Sequence, residues 1–201
     1  MPAEAAQSKR PKLEPLQGLS CDRTDCERGL HCFRTSKRKA KHPPGTCREC
    51  GADLVGWDRV KRCDLVDAAN TFEELRKEWI RNHYWHEPID QRAMSNALRK
   101  GRAGLRVIAP SRIRQSIGKA RNYNEGRQTP WNGKIMYYAQ HATATCCRRC
   151  VEYWHGVPQG RDLTEPEVAY FAELCLRYIF ERLPDLPEQG RPVPGVPRGK
   201  T

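Results

Sequence analysis

The apolar positions of the chain fall mostly at helical intervals. Val168, Phe171, Leu174, Cys175, Tyr178, Ile179 and Leu183 recur at three and four, and Thr164 with Glu167 has capping-box spacing at the head of that run. Phe72, Leu75, Trp79 and Ile80 make a second such face, which predicts an amphipathic helix over 70–86 with Thr71 and Glu74 as its capping box. Pro88 opens a third helix over 89–100, and beyond Gly101 and Gly104 a further helical stretch should break at Pro110. Cys147, Cys150, Val151 and Trp154 predict a helix from Thr145. One run departs from this period: Ile135, Met136, Tyr137 and Tyr138 are consecutive and rich in strand formers, so a short strand is expected over 135–139. The expected fold is mainly α with a short β element, built as small zinc-stabilised α+β modules.

Composition limits what this pattern can bury. Of 201 residues, 38% are hydrophobic and 30% charged, with a mean hydropathy of -0.83, so the core should be modest and partly replaced by metal. No apolar run approaches the length of a membrane span, and Met1 leads into a polar stretch, which places the protein in the cytoplasm. In that compartment ten cysteines read as metal ligands before disulfides. Residues 1–20 and the Pro- and Gly-rich 184–201 are expected to be disordered. Between them the sequence divides into a zinc-knuckle module, 21–66, and a helical domain with a second Cys/His site, 67–183.

Two zinc sites are expected. Cys47-Arg-Glu-Cys50-Gly51 is a knuckle in which two thiolates converge on one ion, backbone amides donate to the sulfurs and glycine permits the tight path. Cys21, Cys26, His31, Cys32 and His42 are the candidates to complete it, and Cys26 and Cys32 are chosen because they stand a ribbon's length before the knuckle. In the second site Cys147 and Cys150 share a helix face, with His141 before and His155 one turn beyond as imidazole ligands; Cys146 can replace either histidine. His83 and His86 form a further pair, more simply read as partners of the carbonyls at a helix end.

Charge adds a partner. The formal net charge is +12, and residues 91–134 hold eleven Lys and Arg against one Glu. Arg92, Arg99, Lys100, Arg102, Arg106, Arg112 and Arg114, with Arg34, Lys37, Arg38, Lys39 and Lys41 of the basic run 34–42, are candidate phosphate contacts, while Trp131 and Tyr138 offer stacking surfaces. An adaptor for an acidic protein is the alternative to nucleic acid.

The run from Asn124 to Pro130, then AQHATATCC, Cys150, Trp154-His155 and the segment from Leu163 to Ile179 resemble a bacterial family catalogued as a domain of unknown function, over about 100–183. The resemblance marks 124–155 as one unit. Three chemistries suit such a unit. A zinc deaminase needs a glutamate where Thr143 stands. An iron–sulfur cluster would draw on Cys146, Cys147, Cys150 and Cys175. A metal-assisted hydrolase or nuclease would keep one open position on an ion held by His141, Cys147, Cys150 and His155, with Glu152 as base.

Overall fold

The computed structural model describes residues 19–34, 41–120 and 128–194. The basic lead over 1–18, Lys37, Arg38 and Lys39, the 124–127 part of the family-like motif and the last residues of the tail lie outside them. Among the described residues the architecture is helical: α1 (Trp57–Val60), α2 (Ala68–Arg76), α3 (Trp79–His86), α4 (Gln91–Ile117), α5 (Ile135–Ala142), α6 (Arg148–His155) and α7 (Glu165–Arg182), with 3-10 turns at Cys26–Arg28 and Leu65–Asp67. Extended pairing is limited to two isolated bridges, Asp25 with Leu30 and His31 with Glu78.

The strand expected over 135–139 is helix α5. Wound at 3.6 residues per turn, Ile135, Tyr138, Ala139 and Ala142 all enter the core, where α5 packs against α3, α4 and α7. Four consecutive apolar residues suit an element buried on most sides as well as they suit a strand. The helix expected over 70–86 is two. α2 begins at Ala68, with Thr71 buried inside it, and the chain breaks before α3, where the Lys77 carbonyl accepts from the His31 amide (2.8 Å) and the Trp79 amide donates to the His31 carbonyl (2.8 Å). The N-terminal segment thus uses the backbone groups that the break leaves unpaired. α6 starts at Arg148 rather than Thr145, which leaves Cys146 and Cys147 in the turn before it. α7 begins where expected, with the Thr164–Glu167 capping box formed.

α4 is capped by the Asp90 carboxylate, which accepts from the Ala93 amide, and it runs through Pro110; its break falls at Gly101 (φ 62°, ψ -179°). Residues 184–194, part of the stretch expected as a disordered tail, run back over that kink. Arg102 and Ala103 amides donate to the Pro187 and Glu188 carbonyls, and the Arg191 amide donates to the Leu98 carbonyl. A Cβ on Gly101 would lie 2.5 Å from the Gln189 carbonyl carbon, and one on Gly190 would lie 2.1 Å from the Arg99 oxygen. Gly101→Ala therefore combines an unfavourable positive φ with a backbone clash, and is expected to cost about 2–4 kcal/mol in chemical denaturation and to speed proteolysis after Leu183. Unchanged stability would show that the strap contributes nothing.

The core is continuous from the N-terminal segment to α7. Phe33 stands edge-on to Trp57 and Trp154 (both 5.9 Å), so the cysteine-bearing segment is seated against α1 and α6 by a buried aromatic cluster.

Candidate metal centres

Two groups of thiol and imidazole side chains converge, with the ligand atoms in each within 4.8 Å of one another: Cys26, His31, Cys47 and Cys50, and Cys146, Cys147 and Cys150. Both could hold a metal ion.

In the first centre the knuckle supplies Cys47 and Cys50, and Gly51 (φ 77°) turns the chain back so that its amide reaches the Cys47 carbonyl (2.9 Å). Cys26 opens the first 3-10 turn and approaches Cys47 at 3.8 Å between sulfurs; His31 Nδ1 approaches Cys50 Sγ at 3.5 Å. Cys32, expected as a ligand, faces the other way and donates its thiol to the Cys21 carbonyl (3.2 Å), while its neighbour His31 faces the group. In an extended segment successive side chains point to opposite sides, so only one of the two can serve. Burial works to raise the Cys47 thiol, but backbone groups of Cys50, Cys32 and Glu49 and the His31 side chain more than offset it and bring it down to about 6. Burial, then hydrogen bonding to Cys50 and Cys47, pushes Cys26 up to about 12. A group that shares protons this unevenly is one that a cation can deprotonate as a unit.

The second centre is buried. Cys146 and Cys147 come from the turn after α5, and Cys150 from the first turn of α6. Arg81 of α3, 1% exposed, faces them: it donates to Cys150 Sγ (3.1 Å) and Cys146 Sγ (3.6 Å), and also to the His141 carbonyl (2.6 Å) and the Glu78 carboxylate (2.9 Å). Glu78 in turn accepts from Trp154 Nε1 at 2.8 Å. Burial raises the Glu78 carboxyl and the Arg81 guanidinium opposes that shift. Hydrogen bonds from Cys147 and Cys150, with Arg81 beside it, hold Cys146 well below its ordinary value, the reverse of what burial alone does to a thiol. The interior thus sets a fixed cation against the Cys146 and Cys150 sulfurs.

The two expected imidazoles are not brought to these thiols. His141 is stacked between Tyr84 (4.7 Å) and Trp131 (4.6 Å) with Nε2 on the Pro130 carbonyl (3.2 Å), and His155 lies against Phe171 (5.0 Å) with Nε2 on the Thr143 carbonyl (2.9 Å). Cys175 sits among the Thr143 and Thr145 hydroxyls, and Glu152 is engaged by Gln159. His83 stacks on Trp79 and His86 bonds the Asn82 carbonyl, the helix-end role. Glu78, Arg81, Cys146 and His31 are the residues that sequence reasoning did not place at a centre by choice. Only Cys146 and His31 carried a signal, as neighbours of chosen ligands.

Burial holds His155 down at about 4 and His141 at about 3, against an ordinary 6.5. Between pH 6.5 and those values the unfolded chain takes up protons that the folded chain refuses, so stability is complete above 6.5 and falls as the pH drops. For His155 the loss reaches about 3 kcal/mol. His155→Gln should flatten the decline between pH 6.5 and 4.5 in denaturant melts, and a slope equal to wild type would contradict the assignment.

The basic candidates separate into those with partners within the fold, exposed ion pairs included, and others. Arg102 donates to the Leu186 and Pro184 carbonyls, Arg106 pairs with Glu188 (2.5 Å), Arg112 bonds Gln140, Gln128 and Thr129, and Arg114 pairs with Glu165 (2.5 Å). Arg34 meets Asp22 at 3.5 Å. Arg92, Arg99 and Lys41 are exposed and Lys100 half-buried. Trp131 and Tyr138 face inward, the first stacked on His141 and the second bonded to Asp90. Among the described residues no helix is long and apolar enough to cross a membrane.

Fold and centres together define a helical protein with two thiol-rich groups that could bind metal. Residues 69–180, more than half of the chain, match the family described as "Domain of unknown function (DUF4186)", and the chain belongs to it. No solved structure matches.

Proposed function

We propose that the protein binds two zinc ions, the first as a structural staple that fixes the N-terminal segment to the family region, and that it contacts nucleic acid through its basic surface. Spacing at the first centre carries the zinc reading. On a tetrahedral ion with Zn–S near 2.3 Å and Zn–N near 2.0 Å, two sulfurs stand about 3.8 Å apart and a sulfur and a nitrogen about 3.6 Å. Cys26 to Cys47 measures 3.8 Å and His31 to Cys50 measures 3.5 Å, edges of one such tetrahedron. Three thiolates and an imidazole are ligands that zinc prefers. Four protein ligands close the site, so its work is to hold structure.

The nucleic-acid reading rests on the charge of residues 91–134 and, with Arg102 and Arg112 bonded within the fold and Arg106 and Arg114 in exposed ion pairs, on Arg92, Arg99, Lys100 and the run 34–42. Elemental analysis with an absorption spectrum tests the metal. The expected result is two zinc ions per chain, with one lost in Cys47→Ser and the other in Cys147→Ser; iron with a visible charge-transfer band, or no metal, overturns it. Binding of a single-stranded oligonucleotide should weaken linearly on a log–log plot against salt, and Arg92→Glu with Arg99→Glu should reduce that slope. Equal binding by wild type and the double variant would remove nucleic acid from the reading.

A further inference from the structure

We infer that Cys21 is the fourth ligand of the second centre, closing Cys146, Cys147 and Cys150 into a four-sulfur site that pins the N-terminal segment to the helical region at a second point. This rests on the reading of the protein as a metal binder, and three observations extend it to Cys21.

The first is position. Cys21 lines the same small enclosed pocket as Cys150, Arg81, Glu78 and Trp154, although it comes from the far end of the chain. Its carbonyl accepts the Cys32 thiol at 3.2 Å, which anchors the Cys21 backbone beside the aromatic cluster.

The second is the lack of a rival. Three thiols leave a tetrahedral ion one position short. His141 is held between the Tyr84 and Trp131 rings and His155 edge-on to Phe171, each tethered through Nε2 to a carbonyl, and neither ring stands in the group of three sulfurs. Cys21 lies in a turn outside any helix, and its sulfur, outside the group of three, has to move toward them.

The third is charge. A divalent ion with four thiolates carries two negative charges, more than an apolar interior accepts. Arg34, Arg81 and Arg149 line this pocket with the acid Glu78, Arg34 also meeting Asp22 at 3.5 Å, so cationic groups face the sulfurs.

Cadmium-113 loaded into the full chain provides the probe. Two resonances are expected, one shifted into the four-thiolate range, and a proton–cadmium correlation should link that ion to the β-protons of Cys21, Cys146, Cys147 and Cys150. Cys21→Ser should move this resonance upfield, as oxygen replaces sulfur, and leave the other in place. An ion coupled to Cys146, Cys147 and Cys150 but to Cys21 not at all, or to a histidine ring instead, overturns the inference and leaves the zinc reading standing. No cadmium at this centre removes both.

Discussion

Cys47→Ser is expected to lose one metal ion per chain and on the order of 5 kcal/mol of stability, a third to a half of the about 10–16 kcal/mol a structural zinc site can contribute. The size follows from how little else orders residues 19–56. Among their described residues are one 3-10 turn and one bridge within the segment, with a second bridge from His31 to Glu78, and the buried apolar side chains are few: Phe33 and Val55 beside the cysteines. Such a segment cannot meet its own conformational entropy without the ion. A chelator should reproduce the loss on the wild-type protein. Limited proteolysis should then cut between residues 19 and 56 while the α4–α7 body resists, because Leu105, Ile113, Phe171 and Ile179 bury one another without help from that segment. A chelated protein that melts and digests like the untreated one would sink the staple.

The second large effect concerns Arg81. Arg81→Met removes the partner of Glu78 and of two thiols at once, leaving a carboxylate 2% exposed with only the Trp154 indole. Breaking a buried pair by deleting one member costs about 3–5 kcal/mol, since the remaining group keeps its desolvation penalty. Adding Glu78→Gln should recover part of that cost, because the amide oxygen can still accept from Trp154 and the buried charge is gone. Calorimetry on the two singles and the double measures the coupling. Additive losses would mean that Arg81 and Glu78 do not act as a pair.

Some of this was legible beforehand. α7 was written out by its apolar spacing and by Thr164 and Glu167, and the knuckle by Cys47, Cys50 and Gly51, because in each case the determinants lie within a few residues of one another. α5 was not, since a run of four apolar residues has no period to read and only packing against α3 and α7 decides its winding. Between His31 and Cys32 the choice turned on which faces inward, and that is set by the bridge to the α2–α3 break, a pairing across some fifty residues. Arg81 and Glu78 look in sequence like any pair of charges on a solvated helix face. Their burial is a property of the assembled core, to which α3, α5 and α6 each add a wall.

The strap over Gly101 bears on where this protein can be cut. Residues 184–194 and residues 19–56 both fall outside the stretch that matches the family, yet one threads its carbonyls onto the amides of Arg102 and Ala103 and the other slots His31 between α2 and α3. A fragment trimmed to 69–180 would surrender both clasps together, opening the α4 bend at one end and the α2–α3 seam at the other. The backbone contacts of the family region therefore reach beyond the block by which its relatives are recognised.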